Sequence, residues 1–430
     1  MVERQRRVAI TGIGLLTPCG KGWEPYWKAL LEARSYIRPL TSFSLNGFPS
    51  KFAGEILNFD PSEFVQHRKS LKVMSREIQL AVAASYLALQ DSGLRLDEID
   101  RTRFGISLGT GIINNDLDEV GIGIRNAFRC EDGQFSMGKF AQDGIRSLFP
   151  LWFLKYLPNM PACHISIAHG LGGPSNTVTT SSAAGAQAIG EAFRVIQRGD
   201  ADRMIAGGTD SKINAMGISR FHLLGLLSLQ NRVPEKAYCP FDRRRDGIIL
   251  GEGAGLILLE EWEQAKKRNA RIYGELTGYG ASSDFNYDPR STEDFNGKRV
   301  AMIRALADAQ VEPGDVDLLV ANGSGIPQED VQEARAIQAV FENSLQNIRV
   351  TALKPITGHL VYGSGGVEMG AAILALHQGI VPPLANLETP DPECDLPFIH
   401  QRPETAELNY AVFNSFGFGG QNASLLVRKV

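Results

Sequence analysis

The sequence predicts an α/β fold built from two similar halves. Three observations carry this: buried strands that end in glycine, a change of hydrophobic period inside one segment, and a second run of the same grammar after about residue 269. Arg7-Val8-Ala9-Ile10-Thr11-Gly12-Ile13-Gly14 and Phe104-Gly105-Ile106-Ser107-Leu108-Gly109 read as central strands, because they are apolar on both faces. Helices are expected at roughly 70–93 and 183–198, and Arg203-Met204-Ile205-Ala206-Gly207-Gly208 adds a strand. The pattern restarts with Ile272–Gly280, a helix over 296–310 and a strand at Leu318–Gly323. Each half is expected to close on an apolar strand, a glycine-rich turn and a second apolar strand: Gly247–Leu259 in the first, Tyr410–Val427 in the second. This suggests an internal duplication with residues 1–268 as one half, 269–430 as the other, and a site between them. Residues 112–165, irregular and rich in aromatics, read as an insertion that either covers the site or forms a subunit interface.

The chain has 430 residues, 43% hydrophobic, with a net charge of −4, which is enough for a large core. Lys and Arg form no long run, so neither nucleic acid nor a membrane is expected as a partner, and a cytoplasmic protein is expected. The cysteines, Cys19, Cys130, Cys163, Cys239 and Cys394, are scattered without a CxxC pair, and the histidines lack ligand spacing. No disulfide framework and no metal site are expected. Arg68, Lys69, Lys72 and Arg76 form a local basic cluster on a segment whose Met74, Ile78, Ala81, Val82 and Leu89 have the spacing of a buried helix face.

The chemistry concentrates at Gly173–Gly185. Thr177, Val178 and Thr179 favour a strand, whereas Ala186, Ile189, Phe193 and Ile196 recur at helical spacing, so Ser182 stands where a helix opens. A helix start offers free backbone N–H groups and a positive dipole end to a developing oxyanion. Ala183, Ala184 and Gly185 leave room for a second backbone. Four other segments join it: Asn322-Gly323-Ser324-Gly325, Lys354-Pro355-Ile356-Thr357-Gly358-His359, Arg245–Gly255 and Asn414-Ser415-Phe416-Gly417-Phe418-Gly419-Gly420.

In order and spacing these segments resemble the β-ketoacyl-acyl carrier protein synthases of the ketosynthase I/II type, over essentially the whole chain. The resemblance implies a thiolase-like fold of two duplicated βαβαβ halves in a layered αβαβα arrangement, and a dimer, either homodimer or heterodimer with an active ketosynthase. It also implies an acyl carrier protein as partner, with the phosphopantetheine arm delivered by that carrier and no bound cofactor. In the family a Cys accepts an acyl group and two His residues then assist decarboxylation of a malonyl thioester. Here Ser182 stands at the nucleophile position and Asn322 at the first His, while His359 retains the second. Lys354 matches the family Lys, Glu333 a carboxylate that supports it, and Phe418 the gate beside the nucleophile. Ser324, Phe416 and Gly419 are implied substrate contacts, and Arg68, Lys69, Lys72 and Arg76 a docking face for the acidic carrier. Ile326 replaces a Thr that usually bonds pantetheine.

A Ser hydroxyl needs a positioned base and yields an ester less electrophilic than a thioester, so condensation is expected to be severely weakened. Loss of carbon dioxide needs only donors that hold the enolate oxygen, and both an Asn amide and a His ring nitrogen are donors. The leading expectation is a decarboxylase that converts malonyl carrier protein to acetyl carrier protein. The alternatives are a non-elongating partner subunit resembling a chain-length factor, and a slow acyltransferase or condensing enzyme that uses Ser182.

Overall fold

The computed structural model describes residues 6–44, 46–65, 67–129, 131–284 and 294–430; Cys130 lies outside them. The first half contributes β1 (Val8–Thr17), α1 (Arg76–Ser92), β2 (Phe104–Gly109), α2 (Met160–His169), β3 (Ser175–Val178), α3 (Ala184–Gln197), β4 (Arg203–Ser211) and β5 (Glu252–Glu261). The second contributes β6 (Gly274–Ser283), α4 (Asn296–Ala309), β7 (Leu318–Ala321), α5 (Pro327–Phe341), β8 (Arg349–Ala352), α6 (Ser364–Gln378), β9 (Tyr410–Phe416) and β10 (Gln421–Arg428).

The strand order is β3-β2-β4-β5-β1 in the first set and β8-β7-β9-β10-β6 in the second. In each set the order is third, second, fourth, fifth, first. The senses agree too: β2 is parallel to β3 and β4, as β7 is to β8 and β9. β5 runs antiparallel to β4 and β1, as β10 does to β9 and β6. The sets meet where Val8–Ile10 pairs antiparallel with Gly274–Leu276.

The layers follow from which face each strand buries. Ile13 and Leu15 of β1 point into one core with Ile257, Val320, Phe413 and Leu425, and this core encloses α3 and α6 through Ile189, Phe193, Val367 and Ile373. Leu16, Leu256 and Leu258 point the other way, against Ile78 and Ala81 of α1. On the opposite outer face Met302 of α4 and Ile337 of α5 cover Leu319, Val412 and Leu426. The sequence is thus α1, sheet, α3 with α6, sheet, α4 with α5: the expected five-layer αβαβα stack.

Two elements differ from expectation. Gly247–Gly251 forms no strand, only isolated bridges from Ile248 to Leu227, Leu250 to His359 and Gly251 to Gly54. Its carbonyls and N–H groups are used instead to hold the His359 segment, with His359 N–H donating to Ile249 O and Gly251 N–H to His359 O. β5 therefore pairs with β4, and only the second half ends in a hairpin. The helix expected from about residue 70 begins at Arg76, because Met74 and Ser75 are extended and Arg68–Val73 forms a separate 3₁₀ turn. In the insertion a helix spans Leu117–Arg125 and a second, Met160–His169, leads out of it, and Ile112, Met137 and Phe153 are exposed, as is Ile167 just beyond.

Candidate active site

Ser182 sits in the layer between the sheets. β3 delivers the chain to Ser181, which adopts φ 54°, and a 3₁₀ turn over Ser181–Ala183 then runs into α3. A non-glycine residue with positive φ stores strain, and here it turns the next side chain inward. Ser182 is fully buried, and its Oγ has no hydrogen-bond partner among the described residues. Its carbonyl accepts from Ser415 Oγ at 3.0 Å, which ties this turn to the end of β9. A Cβ on Gly185 would lie 2.9 Å from Tyr362 O and 3.2 Å from Gly365 Cα, so the small residues at the start of α3 let the His359 turn and α6 approach.

His359 is equally buried, and its ring state is set locally. Val361, with φ 47°, directs its N–H onto His359 Nδ1 at 3.0 Å. A ring nitrogen that accepts a hydrogen bond carries no proton, so the neutral imidazole bears its proton on Nε2. That Nε2 has no partner among the described residues. Burial, and then the charge of Lys354, hold the imidazole well below its ordinary pKa, which keeps it neutral. His359 therefore carries a buried donor with no partner among the described residues.

Asn322 follows β7 and is fixed from every side. Its N–H donates to Glu333 at 2.7 Å, its carbonyl accepts from Lys354 Nζ, and its Oδ1 accepts from Lys354 at 3.2 Å and Phe416 N–H at 3.3 Å. With Oδ1 occupied, the Nδ2 donors are the groups left over. Two oriented donors, one amide and one imidazole, thus come from segments that Lys354 joins.

Lys354 and Glu333 are arranged differently from the expectation. The carboxylate paired with Lys354 is Glu368 of α6, at 2.9 Å. Glu333 instead accepts the N–H groups of Asn322 and Gly323 at 2.7 and 2.8 Å, and burial pushes its carboxyl up to about 7. Sequence reasoning missed Glu368. The available signal was its isolation, a single carboxylate inside the otherwise uncharged stretch Ser364–Leu376.

Phe418 is half-buried and lies over His359, ring centroids 5.1 Å apart, while Phe221 meets its edge at 6.0 Å. Phe416 is buried with its N–H on Asn322, and Gly419 is exposed in the turn. The Ser324 hydroxyl faces Asp330 at 3.3 Å and accepts from Ile326 N–H, so it shapes its own turn. Of the basic cluster, Arg68, Lys69 and Lys72 are exposed, whereas Arg76 is turned inward to Glu252 at 2.9 Å and Ile56 O. Among the described residues no group of His, Cys, Asp and Glu is arranged to hold a metal, and no helix is long and apolar enough to cross a membrane.

Comparison with known proteins agrees with this architecture. The model for the N-terminal domain of beta-ketoacyl synthase matches residues 5–265 and that for its C-terminal domain residues 273–388. The chain is 38% identical over 99% of its length to the 3-oxoacyl-[acyl-carrier-protein] synthase 2 of Synechocystis, covering 98% of that protein. It is 37% identical to the enzyme of the same name from Vibrio harveyi, with 99% of each covered. Among solved structures, a ketosynthase/chain length factor for ishigamide superposes with a TM-score of 0.86 at 30% identity, covering 99% of this chain and 100% of that one. A beta-ketoacyl synthase from Burkholderia phymatum gives 0.87 at 29%, with the same coverage. The doubled strand order, the buried polar side chains Ser182, Asn322 and His359 and these matches along the chain lead to one family: the chain belongs to the beta-ketoacyl synthases, with the thiolase-like fold.

Proposed function

We propose that this chain decarboxylates malonyl carrier protein to acetyl carrier protein without efficient condensation. The supporting observation is the tautomer of His359: with Nδ1 occupied by Val361 N–H, its other ring nitrogen, buried and without a partner among the described residues, is a donor. Such an imidazole does not take the proton of Ser182, whose Oγ has no partner among the described residues, so the hydroxyl lacks a described base that would make it a nucleophile. The same Nε2–H, with Asn322 Nδ2–H, suits an enolate oxygen.

In this reading the malonyl carbonyl oxygen rests between His359 and Asn322. The bond between the methylene and the carboxylate breaks, carbon dioxide leaves, and the electron pair moves onto the thioester as an enolate. The methylene carbon then takes a proton from solvent and becomes the methyl of an acetyl group. Each donor contributes about 10²–10³-fold if it behaves as an oxyanion-hole donor does in a dry pocket. The backbone N–H groups of Ser182 and Phe418 are a second candidate cradle for the thioester oxygen. Exposed Arg68, Lys69 and Lys72 are the residues proposed to meet the acidic carrier.

The test is the purified protein alone with malonyl carrier protein, the carrier followed by mass. Ser182→Ala is expected to keep the loss of carbon dioxide, and His359→Ala to lower it by about 10²-fold or more. An acyl group found on Ser182 would replace this reading with that of a serine acyltransferase. No turnover alone, with activity only beside a cysteine-bearing homologue, would replace it with that of a partner subunit.

A further inference from the structure

We propose that Arg220 and Asn114 are positioning residues that latch the aromatic cover of the reaction pocket. The inference rests on reading the space around Ser182 and His359 as the reaction chamber. The cover is Phe418, tilted by 37° against His359 with centroids 5.1 Å apart, and Phe221 is set edge-on against Phe418 at 6.0 Å. Phe221 stands on the short helix Ala215–Leu223, so the placement of that helix sets the placement of the cover.

The helix is thinly held. Of its residues only Gly217 and Ile218 are buried, and its far end is open to solvent, with Leu223 84% and the following Leu224 67% exposed. Besides the packing of Ile218 and Phe221 against an apolar core, two polar devices anchor it. At its start Asn214 caps Gly217 N–H at 2.8 Å. Farther along, the residue before Phe221, Arg220, donates from Nη1 to Asn114 Oδ1 at 2.8 Å. Asn114 is 8% exposed and lies in the segment that follows β2, a rigid central strand. The fit there is close: a Cβ on Gly217 would stand 3.0 Å from Asn114 Nδ2 and overlap Lys212 O. Arg220 has no ion pair among the described residues, so Asn114 is its one described polar tether.

Breaking this hydrogen bond frees the end of the helix that carries Phe221, and Phe418 loses its edge support. Both residues act through the two rings and have no described contact with the reacting groups. The consequence is access: with the latch intact Ser182 is sealed, and with it broken small reagents reach residue 182 more often.

The experiment reads access without any turnover. Ser182→Cys places a thiol at the sealed position, and iodoacetamide alkylation of the peptide holding residue 182 is timed by mass spectrometry. Adding Asn114→Leu or Arg220→Met is expected to accelerate alkylation about fivefold each, the worth of one hydrogen bond. The double variant is expected to be no faster than either single, because each breaks the same bond. Asn114→Leu leaves the charge of Arg220 in place, which separates a latch from an effect of Arg220 on thiol ionisation. Asn114→Asp keeps an acceptor and should stay slow, which separates the latch from a general loss of packing at residue 114. Unchanged alkylation in both single variants, or accelerations that multiply in the double variant, would overturn the latch. Because alkylation needs no substrate, these outcomes stand whether or not the chain proves to be a decarboxylase.

Discussion

A backbone N–H on Nδ1 decides more about His359 than the residue's presence does. In the proposed reaction the protonated Nε2 would make it an electrophile toward an enolate oxygen, and it removes the ring as a base for Ser182. Asn322 depends in turn on Glu333, whose two oxygens each accept one N–H, from Asn322 and Gly323. Burial raises the Glu333 carboxyl to about 7. Only the ionised form offers both oxygens as acceptors, since protonation turns one into a donor facing an N–H. Decarboxylation is therefore expected to fall as the pH drops through about 7 and to level off above it. His359, held far below its usual pKa, stays neutral and adds no inflection in that window. A pH–rate profile checks this. In Glu333→Gln the inflection near 7 should vanish along with most of the rate, because one amide N–H is forced against a backbone N–H at a cost of about 1–3 kcal/mol. An inflection that survives in that variant would assign the titration elsewhere. At this scale the motifs made Ser182, Asn322, His359 and Lys354 legible. Glu368 was not, because its partnership with Lys354 depends on how deeply α6 is set between the sheets.

Between elements, the decisive contact is the crossing of α3 and α6. A Cβ on Gly365 would fall 2.9 Å from Gly185 C and 3.0 Å from Gly185 Cα, and the opposing atoms are backbone, which does not swing aside. Gly365→Ala should therefore force the two helices apart and cost about 1–3 kcal/mol. Ser182 moves with α3, whereas Tyr362, just after His359, is packed against the same crossing, so the pocket should widen as well. A urea midpoint unchanged from the parent, with full decarboxylation, would show that the crossing has slack. The strands and helices around it were readable because apolar runs and the change of period near Ser182 are local signals. The failure at Gly247–Leu250 has a physical cause. Three apolar residues bounded by glycines look the same whether they join a sheet or wedge between loops, and here Ile249 O is taken by His359 N–H. The repeated ending suggested a duplication, yet what the two halves share is the strand order, with β4 and β5 far apart in sequence where β9 and β10 are close.

For the molecule as a whole, the open edge of the sheet is the feature that calls for a partner. Among the described residues β3 pairs only with β2, and Ser175 and Asn176 on it are exposed, so the backbone N–H and carbonyl of Ser175 face outward. α2, which packs beside β3, leaves Ile167 77% exposed, and elsewhere in the first half Met137 is 71% and Ile112 61% exposed. Apolar side chains around an unpaired strand suit a second chain of the same fold, whose own β3 would run antiparallel and extend the sheet. The expected outcome in analytical ultracentrifugation at micromolar concentration is a dimer. Ser175→Pro removes an outward-facing backbone donor from the edge, since it is Pro174, Asn176 and Val178 that bond to β2, and Ile167→Asp sets a charge among the apolar chains. Each should shift the equilibrium toward monomer. A parent protein that stays monomeric alone and pairs only when mixed with a cysteine-bearing homologue would identify the second chain as a different one. It would then also move the weight of the functional reading from decarboxylase to partner subunit.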